Sequence, residues 1–284
     1  MPTTTTSLTK TLRLPQGPVD LTGHDPDATP GFDGSKSDGK QALADLADPL
    51  ADLQERLFAE GFDGGRRSVL LVLQGMDTSG KGGVMRHAAG LVDPQGLRIK
   101  AFKAPTAEEL RHDFLWRISR ELPPAGLIGI FDRSHYEDVL IARVRGLVDS
   151  DRLERRYDAI NAFEQRLVDE GTHVVKCMLH ISPAKQEERL LERLDNPEKH
   201  WKFNPGDVDE RALWPAYQRA YEIALERCNT DAAPWHLVPA DRKWYRNWAV
   251  ARLLQEALQS MELAWPTADF DVAEQRRRLL ELQL

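Results

Sequence analysis

Residues 74–84 read QGMDTSGKGGV, with the spacing G-x-x-x-x-G-K from Gly75 to Lys81. Such a stretch wraps backbone around phosphate: glycines let N–H groups converge on an anion, and the lysine adds positive charge. In the usual loop a Ser or Thr follows the lysine, and its hydroxyl holds magnesium. Here Gly82 and Gly83 follow, and the loop carries Asp77 instead. A carboxylate about 4 Å from a phosphate charge costs roughly 4 kcal/mol at an effective dielectric near 20, unless a cation lies between them. Asp77 therefore reads as a metal ligand in place of the missing hydroxyl, or as the acceptor of an Asx turn. Gly75, Thr78, Ser79, Gly80, Gly82 and Gly83 are the candidate phosphate contacts around Lys81.

A second carboxylate comes from FDRSHYEDV at 131–139. The apolar run before it delivers Asp132 at its end, where an α/β fold places a metal-organising acid. Magnesium keeps several waters and needs one or two carboxylates beside phosphate oxygens, so Asp77 and Asp132 suffice as candidate metal ligands. Arg133 either grips a phosphate bidentately or pairs within its own turn. Glu137, one turn on, either reaches the ion or the acceptor, or is a solvated first-turn glutamate. Asp77, Lys81, Asp132, Arg133 and Glu137 form the candidate catalytic set.

These residues need a scaffold that holds them at one edge. Val69–Leu73 is a short continuous apolar run, suited to a strand covered on both faces. LRIKAFKAP, GLIGIFDRS, HVVKCMLHIS and WHLVPAD are four further strand candidates. Helical patterns lie between them, in KGGVMRHAAGLVD, TAEELRHDFLWRISREL and DRLERRYDAINAFEQRLVDEG. The alternation predicts a doubly wound α/β fold with a five-stranded parallel sheet. Before the first strand, DGKQALADLADPLADLQERLFAEG has helical spacing, which Pro49 is expected to interrupt and Gly61 to end. Residues 1–40, rich in Thr, Pro, Gly and Asp, read as an extended or partly disordered arm. Residues 41–284 read as a single domain with a helical lid at about 183–215.

The lid and its surroundings supply cations. Arg193, Lys199, Lys202 and Arg211 are lid candidates for phosphate, and Arg189 shares a helix face with Arg193. The alternative pairs Arg189 and Arg193 with neighbours such as Glu188 and Glu192. Lys103, Arg111 and Arg117, with Lys81 and Arg133 at the centre and Arg86 and His87 on the helix after the loop, would line the track of an anionic donor; any one alone reads equally as a solvated surface charge.

Together, GMDTSGKGG, KAPTAEELRHDFLWR, FDRSHYEDVL and DNPEKHWKFNPGD resemble the family-2 polyphosphate kinases. The resemblance runs from about residue 42 through VPADRKWYRNWAVARLL. It implies a P-loop kinase-like three-layer sandwich, a fold similar to thymidylate kinase, with a helical lid over the site. It also implies reversible transfer of a terminal phosphoryl group between inorganic polyphosphate and nucleotides, with Mg2+ or Mn2+ in its place. By motif, Asp77 and Lys81 take the phosphate-loop roles, and Asp132 and Arg133 those of the second motif. FDRSHYEDVL looks like the third class, which accepts nucleoside mono- and diphosphates; other classes often carry Trp-Tyr-Asn where this chain has His135, Tyr136 and Glu137. The family often assembles as dimers or tetramers, and the tail DVAEQRRRLLELQL has the periodicity for such contact. Two other readings share the loop: an ATP-dependent nucleoside monophosphate kinase, and a catalytically dead P-loop protein that binds nucleotide.

The whole chain bounds these readings. Over 284 residues, 41% are hydrophobic and 29% charged, a soluble globular balance with room for one sizeable core. No apolar run spans a bilayer, and MPTTTTSLTKTLRLPQG lacks the apolar core of a signal peptide, so a cytoplasmic location without membrane contact is expected. The net charge of −7 argues against nucleic acid as a partner, although DRKWYRN interleaves basic and aromatic residues. The histidines lack zinc spacing, and Cys177 and Cys228 read as free buried thiols.

Overall fold

The structure, a computed structural model, describes residues 7–282. Its centre is a five-stranded, all-parallel sheet of β1 (Ser68–Gln74), β2 (Leu97–Ala101), β3 (Ile128–Asp132), β4 (Thr172–His180) and β5 (Trp235–Pro239), in the order β2-β3-β1-β4-β5. All five strand expectations are met. Every residue of β1 is buried, which is why its sequence runs apolar rather than alternating. The chain leaves β1 for a strand on one side, then returns for β4 on the other, so a crevice opens beside its carboxyl end. Pairing sets Leu73 of β1 and Ala101 of β2 level with Asp132 of β3.

Helices cover both faces. One group gathers round Lys243–Ser260, which packs on Lys36–Asp45, Ala47–Phe62 and Lys81–His87 as well as on the sheet. The other contains Ser150–Asp169, Glu137–Val144 and Trp214–Arg227. Helix Lys243–Ser260 is buried almost all round, from Trp244 through Leu258. The periodicity of a single surface stripe is therefore missing from its sequence.

Three helical expectations change. The break before β1 falls at Leu46, and Pro49 sits in the first turn of the second helix, where its missing N–H is no loss. The pattern after the phosphate loop yields a helix only to His87, followed by a 3-10 turn at Ala89–Leu91. Residues 106–122 hold only a 3-10 turn at Glu109–Arg111 and a short helix at Trp116–Ser119. There Glu109 and Asp113 accept backbone N–H groups of Thr106 and Leu115, so side chains compete with the helical ladder.

The expectation of an extended or partly disordered arm covers residues 1–40, of which 1–6 lie outside the described residues. From Ser7 onward the segment is docked. Leu8, Leu12, Leu14 and Leu21 are in the core, Leu14 N donates to Trp235 O at 2.9 Å, and Glu256 accepts Leu8 N and Thr9 N. Arg13 bridges to His236, covering the outer edge of β5. Cys177 and Cys228 are buried and free. Among the described residues no helix is long and apolar enough to cross a membrane.

Candidate active site

The phosphate loop leaves β1 at Gln74 and re-enters regular structure at Lys81. Within it Thr78 adopts φ 62° and Gly80 φ 108°. Lys81 folds back so that Nζ donates to Gly75 O at 2.8 Å and Met76 O at 3.4 Å. An ammonium carries three N–H donors, so one remains for a ligand. The hydroxyls of Thr78 and Ser79 are buried and partnerless among the described residues. Buried polar atoms without partners are costly, and these two face that cost inside the loop.

Register brings the second motif alongside. Arg133 N donates to Leu73 O at 3.1 Å, and Phe102 N to Asp132 O at 3.0 Å, which ties the tips of β1, β2 and β3 together. Arg133 has φ 63°, a left-handed conformation that a non-glycine residue adopts at a local cost. From there Arg133 Nη2 donates to Asp77 Oδ1 at 2.7 Å, so its ion pair crosses to the phosphate loop rather than staying in its own turn. Burial raises the pKa of Asp77, but the charges of Lys81 and Arg133 outweigh it and leave the carboxyl below its usual range. Asp132 has no hydrogen-bond donor to its carboxylate among the described residues.

Glu137 opens its helix beside Arg133. Burial is the largest influence and holds its carboxyl above the usual range, against the opposing pull of Arg133 and Lys81. Gln74 reaches the same carboxylate: with the amide turned so that its oxygen accepts from Ser134 N, its nitrogen donates to Glu137 Oε1 at 3.0 Å. A cavity of about 230 Å³ lies over this cluster, lined by Asp77, Arg133 and Glu137 below and by Asn204, Asp207 and Tyr221 above. A larger cavity, about 610 Å³, lies elsewhere, between Ser7, His236 and Arg252, away from the loop.

Two buried arginines underpin the loop. Arg189 donates to Thr78 O at 2.7 Å and to Ala240 O at 2.7 Å. Arg246 donates to Ser79 O at 3.0 Å and holds Asn247 Oδ1. Burial, then the nearby charge of Arg189, push Arg246 down to about 9. Its guanidinium occupies the space next to the glycines: a Cβ on Gly80 would lie 1.8 Å from Nη1, and one on Gly83 2.4 Å from Nη2. Gln186 completes the support, donating to Asp77 O at 3.2 Å.

Beneath the second motif lies a buried charged network. Glu164 accepts Lys176 Nζ at 2.6 Å and Tyr136 Oη at 2.8 Å, and lies 3.0 Å from His135 Nε2. Lys176 also donates to Cys228 O at 2.7 Å and lies over the Trp235 ring. Burial acts to raise the pKa of Glu164, yet Lys176 and His135 bring it below its usual value. His135 and Tyr136 are therefore anchored inward while Glu137 faces the cavity.

The remaining expected residues divide. Lys103 is exposed at the end of β2, but Arg117 is committed: it is buried, donates to Lys103 O at 2.8 Å and pairs with Asp138 at 3.0 Å. Arg193 pairs with Asp207 at 3.2 Å and donates to Lys202 O, while Lys199 pairs with Glu192. Lys202 lies over Trp201, and Arg211 holds Glu187 at 2.6 Å. Neither Arg189 nor Arg193 pairs with Glu188 or Glu192. Sequence reasoning missed Arg246, Gln186, Asp207, Tyr221 and Gln74. Gln186, Arg189 and Arg193 recur at spacings of three and four, one helix face that was open to reading. Arg246 carries no such signal, because its helix is buried all round.

A lysine-bearing glycine loop between a buried parallel strand and a helix is the arrangement of a P-loop phosphotransferase. The chain belongs to the polyphosphate kinase 2 family, whose profile matches residues 33–265. It is 47% identical over 252 residues to an AMP/ADP-polyphosphate phosphotransferase of Meiothermus ruber, covering 89% of this chain and 93% of that one. An ADP-polyphosphate phosphotransferase of Rhodopseudomonas palustris is 38% identical, covering 97% of each chain. The crystal structure of polyphosphate kinase 2 from Arthrobacter aurescens TC1 superposes with a TM-score of 0.96 at 54% identity, covering 98% of each chain.

Proposed function

We propose that this chain transfers a terminal phosphoryl group between inorganic polyphosphate and a nucleotide, forming ATP from ADP and ADP from AMP. The observation that carries the reading is the pairing of a lysine-bearing phosphate loop with Asp77 and the strand-tip Asp132 and Arg133. Acceptance of AMP as well as ADP is supported by the name of the Meiothermus ruber relative.

The donor set fits a hard divalent cation. Two carboxylates, with phosphate oxygens and water, are what Mg2+ takes, and Mn2+ accepts the same oxygens. Asp77 and Asp132 would hold the ion, which when bound would neutralise phosphate charge and align oxygens. Phosphoryl transfer asks a protein mainly for in-line positioning and charge neutralisation. Lys81 and the loop N–H groups bind the phosphates. Arg133 exchanges its contact with Asp77 for a phosphate oxygen, and Glu137, oriented by Gln74, positions the acceptor. The lid, with Asp207 and Asn204 over the cavity, excludes water that would otherwise accept the phosphoryl group. Homo-oligomers and a cytoplasmic location belong to the same reading.

The test supplies ADP, Mg2+ and long-chain polyphosphate without ATP. ATP should form, and Lys81→Ala should lower kcat/KM on the order of a hundredfold or more. No ATP from the wild type, with turnover restored by replacing polyphosphate with ATP and AMP, would favour a nucleoside monophosphate kinase instead.

A further inference from the structure

A second cavity, about 360 Å³, lies on the other side of the first turn of helix Glu137–Val144 from the reacting centre. Glu137 lines the site cavity and the next residue, Asp138, lines this one. Its walls carry Arg117, Arg152, Arg155 and Arg156, with His112 and Phe114. The last three arginines are spaced at three and four residues on helix Ser150–Asp169, so they share a face.

Three carboxylates also line the cavity, Glu109, Asp113 and Asp138, one fewer than its four arginines. Asp138 pairs with Arg117. Glu109 accepts Thr106 N at 2.7 Å, and Asp113 accepts Leu115 N at 2.9 Å. Arg156 donates to Asp138 O at 2.5 Å and stacks over Phe114. The side chains of Arg152 and Arg155 have no ion pair or hydrogen bond among the described residues, and both are exposed. Burial, with Arg152 as a like-charged neighbour, holds Arg156 below its usual value against the opposing pull of Asp138 and Asp113. Such convergence of cations in a chain of net charge −7 leaves a local excess that an anion would relieve.

We propose that this cavity is an accessory site for phosphate-chain anions, which holds the distal units of a long polyphosphate while its terminal unit reacts at Lys81. The proposal rests on the polyphosphate reading above. A linear polyanion extends past the reacting centre, whereas a nucleotide places its few phosphates there and ends in an uncharged base. Extra cations beyond the reacting centre therefore act on the chain, in proportion to its length. Arg117, fixed between Lys103 O and Asp138, is a rigid wall of this cavity.

The double variant Arg152→Gln/Arg155→Gln tests this, because both side chains are exposed and free of structural bonds. The KM for long-chain polyphosphate should rise roughly tenfold, and its log–log salt dependence should weaken by about one unit per arginine removed. The KM for a short oligophosphate of a few units, the KM for ADP, and kcat should stay at wild-type values. An unchanged KM for the long chain would overturn the proposal, as would an equal rise for long and short chains. A rise confined to ADP would assign the cavity to nucleotide, and a changed oligomeric mass without a chain-length effect would assign it to a second copy; either overturns the proposal. Failure of the wild type to use any polyphosphate would instead defeat the underlying functional reading.

Discussion

Gly83 follows the position where a P-loop usually carries its hydroxyl, and what crowds it comes from more than a hundred residues away. Arg246 fills the space a side chain would need, while its Nη1 holds Ser79 O. Gly83 is not in a left-handed conformation, so Gly83→Ala changes contact with the guanidinium rather than backbone strain. We expect Gly83→Ala and Arg246→Ala each to lower kcat/KM for ADP and polyphosphate. The double variant should be no worse than Arg246→Ala alone, with a coupling energy of about 1–2 kcal/mol. Additive losses would show that the glycine and the arginine act separately. Asp77 belongs to the same scale: its type and place in the loop were legible as chemistry, but its partner Arg133 across the sheet was not.

Elements carry these residues to one place, and the tip of β3 illustrates how. His135 and Tyr136 turn inward to Glu164, and Glu164 is satisfied by Lys176 from β4. The network is fully buried, so breaking one partner strands a charge. Glu164→Gln should cost about 3–5 kcal/mol in urea unfolding at neutral pH, whereas replacing both partners, as Glu164→Leu/Lys176→Met, should cost much less. The sign of its pH dependence follows from the depressed pKa. The folded protein holds Glu164 ionised more readily than the unfolded chain, so this stability is present above the ordinary value of 4.5 and is lost as pH falls through the lower folded value. A loss under 1 kcal/mol for Glu164→Gln would remove the network from the supports of Glu137. Strands were the legible elements here, since buried parallel strands announce themselves as apolar runs. Residues 106–122 were not: their helical spacing is real, but Glu109 and Asp113 divert backbone N–H groups into turns.

At the scale of the whole molecule, the candidate site draws on distant parts of the chain: a loop near residue 77, a strand tip near 132, a helical segment near 207 and a buried helix near 246. Motifs expose the first two, because chemistry constrains both residue type and spacing there. The lid cations were legible as a group, yet their internal pairing, Arg193 with Asp207 and Lys199 with Glu192, depends on tertiary contact. The docking of residues 7–40 was hidden for a related reason: single leucines filling gaps in a core already formed have no periodicity to read.

The central claim concerns that whole assembly: Asp77 in a glycine turn and Asp132 on a strand tip jointly replace the hydroxyl that the loop lacks. The most direct measurement is the Mg2+ dependence of ATP formation from ADP and polyphosphate, compared between the wild type and Asp132→Asn at saturating substrates. The half-saturating Mg2+ concentration should rise at least about tenfold in the variant, as for loss of a group that shapes a metal's surroundings. An unchanged Mg2+ dependence, with the variant folded and active, would contradict the two-carboxylate site.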